Sequence, residues 1–541
     1  MTLISVEVGQ CGIQVGSAFW KIMDASLDVL DRPTQLQGLH SIAGSLGRDW
    51  DWARGFLREG RQGQQTARCI VVDSDPRQVL HRPAICRNFA PTGHSVVGKG
   101  CSGKNWAQGY RHANGNMLWE VKPQSRRIQK AAKWTADMRD PTSACDGELL
   151  EIFVEALRKE TEACDGIPEF LIWHSMGGGA GGGVGSGVLE AIRCDFPRNY
   201  IGTISIAPLL AGFEPMQKVN TAMTMSWLQT YADVVMLFQT DRVLASLASK
   251  QNCGARGLHD DSVNWEISKH VASVLWPLDE VEGLRGKTVM SDVVMHVCPD
   301  PGMKFTEVSM ASSSQRLATD SPRGWRKLIR EAFHGLGKGS HQGTQQPIVS
   351  SASMVIGRAS AQRPPSIQQG AKAFQQCAKC LSHSGLRRPP QAAEAVSVGA
   401  LGRDKSRQLG LLLRDECQRH CQGAASLFGA TESVQTRGST LAPSFGEHAV
   451  RGINPTKERQ KPRESPCSVA IVSNRFNVAD FSMSLSKAVT RLCDTGAYMH
   501  WYEINGCSRD AVREACRSLE DLADRYGQSH FLSHTNGAPT R

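Results

Sequence analysis

Short, largely apolar runs that alternate with helical patterns fill the first half of the chain. After the first run, Phe19, Trp20 and Ile22 have the spacing of a helix, and residues 149–157 are amphipathic with the same spacing. Strands that alternate with helices form a parallel sheet, so the sequence predicts an α/β fold. The predicted strands are residues 3–8, 69–72, 170–173 and 200–207.

Helices predominate at the end of the chain. A strand is predicted at residues 469–472, and two amphipathic helices follow it. We therefore expect the chain to end in a helical segment. Its apolar faces comprise Leu485, Ala488 and Leu492 in the first helix and Val512, Ala515, Leu519 and Leu522 in the second.

Two stretches without such patterns have the character of insertions. Residues 112–147 are polar and basic without a sustained period, and residues 361–465 are rich in Pro, Gly, Ser and Gln. A segment of the latter composition buries too little apolar surface to offset the entropy lost on ordering. We therefore expect residues 361–465 to be mostly disordered.

Composition narrows the class of protein. Of 541 residues, 40% are hydrophobic and 21% are charged, as is typical of soluble globular proteins. No apolar run is long enough for a membrane span and no signal peptide is evident, so we expect a cytosolic or nuclear protein with reduced cysteines. Most of the net charge of +10 lies between residues 361 and 466, with 16 Lys and Arg against 8 Asp and Glu. Because that region lacks interleaved aromatic residues, we expect no nucleic-acid partner.

A glycine-rich segment, residues 177–187, lies between a predicted strand and a predicted helix. Without Cβ atoms, consecutive N–H groups can converge on an anion, and the N-terminus of the next helix adds partial positive charge. A flexible linker is the alternative, but a linker does not normally join a buried strand to a helix. The segment lacks the Gly-Lys-Ser/Thr of a P-loop, and a Rossmann motif would occupy the first strand–helix turn, which is Gly9-Gln10-Cys11-Gly12. We therefore predict a phosphate site formed by two turns from different strands.

Five segments resemble motifs of the tubulin family, in the family's order. The first turn resembles G-Q-C-G-N-Q-x-G, and the glycine-rich segment is similar to G-G-G-T-G-S-G. Within the family, the delta branch is the most similar. The other three segments are residues 72–76, which resemble V-D-x-E-P, residues 103–107, which resemble G-N-N-W-A, and residues 158–165, which resemble the helix before the signature loop.

The resemblance implies a tubulin/FtsZ-type nucleotide-binding domain with a parallel sheet over residues 1–250. An α+β intermediate domain over residues 251–480 and C-terminal helices over residues 481–541 would follow. The implied function is that of a structural protein of the microtubule cytoskeleton that binds GTP or GDP with Mg²⁺. Its expected partners are other tubulins or microtubule and centriolar proteins, with no membrane partner. Its expected location is the cytoplasm and cytoskeleton, at centrioles or basal bodies.

The resemblance also implies roles for individual residues. Asp73 and Asp75 would lie near Mg²⁺, and Asp292 would orient the water that attacks the nucleotide of the next subunit. Gln217 lies where the family has a glutamate that contacts the ribose. The positions that contact the base are Thr240, Asn264 and Ser268, and those that contact the phosphates or the rest of the nucleotide are Gln10, Cys11, Gln14, Lys104, Gly177, Gly178, Gly179, Ala180, Gly181 and Gly182.

Several of these positions depart from the family's pattern. Ala180 replaces a threonine and Gly182 a serine, which removes two hydroxyl donors, while Lys104 replaces an asparagine and adds a charge. On the base side, the pattern's two asparagines are replaced by Thr240 and Ser268, and its stacking aromatic residue is replaced by Asn264. We therefore expect nucleotide binding that is weaker or less base-selective than in alpha and beta tubulins.

Other interpretations stay open at this point. Asp292 is equally compatible with a helix N-cap, and Asp73 and Asp75 are compatible with turn carboxylates at a strand end. A slow GTPase that hydrolyses on assembly, a pseudo-GTPase scaffold and a dinucleotide-dependent oxidoreductase are the functional alternatives, of which the glycine-rich segment favours the oxidoreductase least. A zinc site is a further alternative, although chance clustering explains its residues better: Cys377, Cys380, His383, Cys417, His420 and Cys421.

Overall fold

The computed structural model describes the patterned regions of the chain and parts of the segments between them. No helix among these residues is both long enough and apolar enough to cross a bilayer. The described residues are 2–31, 55–60, 63–77, 86–98, 103–114, 148–209, 214–251, 260–275, 289–312, 331–332, 335–336, 350–359, 395–398, 467–475 and 477–535.

Strands and helices alternate through the first half of the chain, as the hydrophobic pattern predicts. The strands are β1 (Thr2–Val8), β2 (Leu57–Glu59), β3 (Gln65–Ala67), β4 (Cys69–Asp73), β5 (His94–Val97), β6 (Pro168–Ser175), β7 (Ile201–Ala207), β8 (Val234–Gln239), β9 (Phe305–Ser312), β10 (Ser350–Ala359), β11 (Ala395–Val398) and β12 (Cys467–Arg475). The helices are α1 (Gly9–Asp31), α2 (Trp106–Asn114), α3 (Glu148–Glu162), α4 (Gly185–Asp195), α5 (Pro215–Tyr231), α6 (Thr240–Gln251), α7 (Asp260–Leu275), α8 (Val289–Val297), α9 (Asn477–Thr495), α10 (Met499–Glu503) and α11 (Arg509–Thr535).

Most of the described strands form one sheet, in the order β11-β10-β12-β9-β8-β7-β6-β1-β4-β5, while β2 pairs with β3 separately. From β5 to β9 every neighbouring pair is parallel, which confirms the predicted fold class. Strand β12 lies antiparallel to β9 and β10, and β11 is parallel to β10. The turns after β1, β4 and β6 therefore meet at one edge of the sheet, where parallel sheets bind their ligands.

Helices cover both faces of the sheet, so its central strands are buried and almost wholly apolar. One face packs against α1, α6, α7 and α8, around a core that includes Trp20 and Trp173. The other face packs against α2 to α5 and against the C-terminal helices, around a core that includes Trp106 and Tyr526. The predicted C-terminal helical segment thus contributes to the core of the sheet.

The sheet continues past the predicted domain boundary near residue 250. Strands β9, β12 and β10, which were predicted to belong to an intermediate domain, extend the sheet beyond β8. The division into three domains stays a prediction, and the strands of its first two parts share one sheet.

The predicted insertions fall mainly outside the described residues. Helix α2 ends at Asn114, so residues 112–114 belong to a helix and not to the first insertion. Within residues 361–465, Ala395–Val398 form β11 on β10, so the expectation of disorder is wrong for this short strand. So short a run does not stand out in a polar segment, because only its pairing with β10 gives it a structural role. The candidate zinc ligands all lie outside the described part of the chain.

Candidate nucleotide site

The first turn and the glycine-rich segment touch at the edge of the sheet. Strands β1 and β6 are neighbours, so the turns that follow them lie side by side. Gly9 opens the first turn with φ of 72°, and a Cβ atom at Gly9 would lie 2.8 Å from the Gly181 nitrogen. Glycine is therefore required at this position by backbone conformation and by space. The predicted meeting of two turns from different strands is confirmed.

Most of the glycine-rich segment is helical rather than a loop. After β6, only residues 176–178 are outside regular structure; Gly179–Val184 form a π-helical turn that runs directly into α4. The expectation that the helix follows the glycine-rich segment is therefore wrong, because α4 already begins at Gly185. Close packing against α2 explains the early start, because a Cβ atom at Gly183 would lie 2.1 Å from the Trp106 carbonyl oxygen. Some of these glycines therefore permit helix packing.

The amides at the start of this turn have no backbone acceptor among the described residues. The first N–H groups of a helix have no partner within it. Among the described residues, the amides of Gly178 to Gly181 donate to no backbone acceptor, whereas the Gly182 amide donates to the Gly178 carbonyl oxygen at 3.1 Å. Free amides and the positive end of a helix dipole suit an anion, and we call residues 178–181 the amide cradle.

The buried side chain of His174 makes a hydrogen bond to the backbone of the amide cradle. Burial lowers the pKa of His174 to about 4, so its ring is neutral. Its Nδ1 lies 3.0 Å from the Gly181 carbonyl oxygen, which can only accept, so Nδ1 carries the proton. Its Nε2, 2.8 Å from Ser205 Oγ, then accepts the hydroxyl proton. Sequence reasoning missed His174, although its position at the end of the strand before the glycines was a signal.

The family's pattern has two hydroxyls that this chain lacks, at residues 180 and 182. Only the one at residue 180 would face the cradle. The Ala180 Cβ lies next to Gly9, in the first turn, so a threonine hydroxyl there would face the shared site. A Cβ at Gly182 would instead lie 2.8 Å from Thr224 Oγ1 and 2.9 Å from the Met176 carbonyl oxygen, inside the fold. The expectation that Gly182 removes a phosphate donor is therefore wrong.

Asp73 presents a buried carboxylate oxygen that lacks a partner. Asp73 ends β4 and is 2% exposed, and its Oδ1 accepts the Asp75 amide at 3.1 Å. Its Oδ2 accepts no hydrogen bond from the described residues. Burial raises the pKa of Asp73 to about 6, although hydrogen bonding opposes the shift. A cation would satisfy this oxygen, so Asp73 fits the Mg²⁺ role, whereas Asp75 accepts the Arg77 amide as a turn carboxylate does.

Lys104 pairs with an acidic residue that sequence reasoning missed. Its Nζ lies 3.2 Å from Glu214 Oε1, and both side chains are exposed. Glu214 immediately precedes α5, whereas Gln217 lies in the first turn of that helix. The acidic residue near Lys104 is therefore Glu214. The Glu-Pro sequence at the start of the helix was a signal for it.

The residues expected to contact the base lie on α6 and α7. Ser268 is fully buried in α7 and donates to the Val15 carbonyl oxygen at 2.8 Å, so it lies too deep to contact a base. Asn264 lies one turn earlier on the same helix. Thr240 begins α6, and its hydroxyl donates to the Ala207 carbonyl oxygen at 2.6 Å. Asn264 therefore lies nearer than Ser268 to the start of α7, and the base contacts assigned to both residues stay predictions.

The first turn keeps its thiol neutral. Burial, with the charge of Asp260 adding, raises the pKa of Cys11 to about 12. Helix α7 packs against α1, where the Ser268 hydroxyl donates to the Val15 carbonyl oxygen. Gln10 is exposed on the outer side of the turn. Cys11 and its neighbours can thus contact a ligand by hydrogen bonds and packing, without thiolate chemistry.

Asp292 lies inside α8 rather than ahead of it. The helix begins at Val289, so Asp292 is in its first turn and the N-cap alternative is wrong. The side chain of Asp292 lies outside the described part of the structure. Its role towards a neighbouring subunit stays a prediction.

Comparison with known proteins agrees with this geometry. Residues 2–138 and 141–248 match the Tubulin/FtsZ family, GTPase domain. The tubulin delta chain of Homo sapiens is 25% identical over 341 residues, which cover 61% of this chain and 66% of that protein. The tubulin delta chain of Mus musculus is 25% identical over 372 residues, 68% of this chain and 70% of that protein, and a tubulin beta chain of Pyropia yezoensis is 26% identical over 219 residues, 38% and 37% of the two. The chain thus spans less than two thirds of the human protein. Residues 2–248 of this protein therefore contain a GTPase domain of the Tubulin/FtsZ family.

Proposed function

We propose that this protein binds GTP or GDP, with Mg²⁺, at the carboxyl edge of its parallel sheet. The observation that carries the proposal is the amide cradle, whose N–H groups have no backbone acceptor within the described residues. The cradle would bind the phosphates, and Lys104 would add a charge-assisted contact after exchanging Glu214 for a phosphate oxygen. The Mg²⁺ ion, when bound, neutralises phosphate charge, and Asp73 would hold it through its unpartnered oxygen.

Guanine selectivity rests on Asn264. A side-chain amide has both a donor and an acceptor, so it can pair with the edge of a purine. The Thr240 hydroxyl already donates to a backbone carbonyl, and a hydroxyl in place of an amide offers fewer contacts. We therefore propose guanine binding that is weaker than in alpha and beta tubulins. The missing hydroxyl at Ala180 contributes about 0.5–1.5 kcal/mol to this difference.

The cellular role follows from the family. We propose a structural role in the microtubule cytoskeleton, with other tubulins or microtubule and centriolar proteins as partners, at centrioles or basal bodies. The similarity to tubulin delta chains supports this proposal. Asp292 would act in the site of an adjoining subunit, so hydrolysis would be slow until subunits assemble. A scaffold with little nucleotide binding is the second candidate, and the replacement at Ala180 favours it.

Two neighbouring glycines provide a test. A Cβ at Gly178 would lie 3.3 Å from Ser175 Oγ and 4.0 Å from the Gly181 nitrogen, so we expect Gly178→Ala to keep the fold and to place a methyl group in the cradle. Gly185→Ala is the matched control, since its Cβ would lie 3.5 Å or more from His174, away from the cradle. In calorimetric titration of the full chain with Mg²⁺ and GTP, GDP or ATP, we expect GTP binding that Gly178→Ala weakens at least tenfold and Gly185→Ala leaves unchanged. Equal affinities of all three proteins, or no binding by the wild type, would refute the proposed site.

A further inference from the structure

One buried amide holds two loops of the candidate site together. Asn220, in α5, is fully buried. Its Nδ2 donates to the Gly177 carbonyl oxygen at 2.8 Å and to the Lys104 carbonyl oxygen at 2.7 Å. Its Oδ1 accepts the Trp106 amide at 2.9 Å and the Tyr502 hydroxyl at 2.6 Å. Two donor and two acceptor positions are thus used on the one side chain.

The partners allow this amide only one orientation. Carbonyl oxygens can only accept and a backbone N–H can only donate, so Nδ2 must face Gly177 and Lys104 while Oδ1 faces Trp106. The Tyr502 hydroxyl must then donate. Loss of that hydroxyl removes an acceptor contact from Asn220 without offering it an alternative partner.

These bonds connect the amide cradle with the C-terminal helices. Gly177 directly precedes the cradle, and Lys104 lies in the loop before α2. Tyr502 lies in α10, beside Trp501, whose carbonyl oxygen accepts Asn105 Nδ2 at 3.0 Å. Both loops are therefore fixed from behind by a helix that is remote in sequence.

We propose that Asn220 is a positioning residue for nucleotide binding, and that Tyr502 links the geometry of the cradle to the docking of the C-terminal helices. The proposal rests on the proposed nucleotide function. Any ligand that favours the ordered cradle then favours docking of α10 by the same factor, because coupling between sites is reciprocal. A partner that shifts the C-terminal helices would likewise change the affinity for nucleotide.

A second tyrosine–asparagine pair supplies a matched control. Tyr526, in α11, is also fully buried, and its hydroxyl donates to Asn474 Oδ1 at 2.8 Å. The Asn474 Nδ2 in turn donates to two backbone carbonyl oxygens, those of Val297 and Met303. This pair lies near Phe305, at the start of β9, which is the edge of the sheet opposite the cradle. The two tyrosines differ in location but not in the kind of contact they make.

The experiment compares Tyr502→Phe with Tyr526→Phe in the full chain. Each variant loses one buried hydroxyl contact, so we expect similar decreases in the thermal midpoint. Without nucleotide, only Tyr502→Phe should speed hydrogen exchange at the Gly182 and Gly185 amides, which close the π-helical turn. With Mg²⁺ and GTP, only Tyr502→Phe should weaken binding, by about two- to tenfold for one neutral hydrogen bond.

Equal exchange and equal affinity in the two variants would overturn the inference and leave the proposed function intact. A wild type that binds no GTP would overturn the proposed function. The exchange comparison needs no nucleotide, so it would then still show whether Tyr502 orders the turn. As a stronger perturbation, Asn220→Asp turns an oxygen towards the Gly177 and Lys104 carbonyl oxygens, and we expect it to weaken binding more than Tyr502→Phe does.

Discussion

The negative charge of Asp73 is expected to lower the free energy of unfolding of the nucleotide-free protein at neutral pH. Its carboxyl group ends β4 with one oxygen that lacks a partner among the described residues, and it is 2% exposed. A charge held in such a place is unfavourable until a cation neutralises it. The substitution Asp73→Asn removes the charge, keeps the shape and keeps an acceptor for the Asp75 amide. Its stability relative to wild type should therefore rise as the pH increases through 6, while Mg²⁺-dependent binding is impaired.

The magnitude follows from the pKa. Burial raises the pKa of Asp73 from 3.8 to about 6. A raised carboxyl pKa means that the folded state holds the proton more tightly than the unfolded state. The contribution of the Asp73 carboxyl group to the free energy of unfolding is therefore fully present below pH 3.8. It is lost as the pH rises through 6. A shift of about two units corresponds to about 3 kcal/mol in the free energy of unfolding.

The pH dependence separates this effect from other costs of the substitution. The asparagine Nδ2 lacks a partner, which costs about 1–3 kcal/mol at every pH. The stability of Asp73→Asn relative to wild type should therefore rise by about 2 kcal/mol between pH 4.5 and 7.5 in urea denaturation without nucleotide. Asp75→Asn, at a partly exposed carboxylate, is the control. A relative stability that stays constant with pH would refute the reasoning, as would unchanged stabilisation of Asp73→Asn by Mg²⁺ and GTP.

Four further substitutions test the assignment of single residues. Ala180→Thr should tighten GTP binding by about two- to tenfold in calorimetry by restoring one hydroxyl donor, and unchanged affinity would place residue 180 outside the phosphate contacts. Asn264→Ala should reduce the discrimination between GTP and ATP in competition assays, whereas Ser268→Ala should lower stability by about 1 kcal/mol and leave that discrimination unchanged; the reverse result would restore the original assignment. Gly183→Ala should destabilise the fold by about 3 kcal/mol in thermal or urea unfolding, because its Cβ would meet the Trp106 carbonyl oxygen; a small effect would argue against the close packing of α2.

The amino-acid sequence by itself determined the parallel sheet and the place of the site. Apolar runs with helical patterns between them are local features of the sequence. Strands formed by such runs are buried because both of their faces are apolar. The glycine-rich segment after a buried strand, together with Gly9 in the first turn, located the phosphate edge for the same reason. Asp73 at the end of β4 and Asp75 in the following turn were visible as well, because strand ends and turn residues are read from neighbours in the chain.

Only the tertiary structure decided which side chains face the site. Along one run of glycines, Ala180 faces the first turn whereas Gly182 and Gly183 face packed helices, and no local pattern distinguishes them. The hydrogen bond of Ser268 to Val15 depends on how α7 packs beside α1, and the pairing of Glu214 with Lys104 depends on where α5 begins. Such contacts join residues far apart in sequence, so they are set by the packing of rigid helices on the sheet and not by the residues next to them.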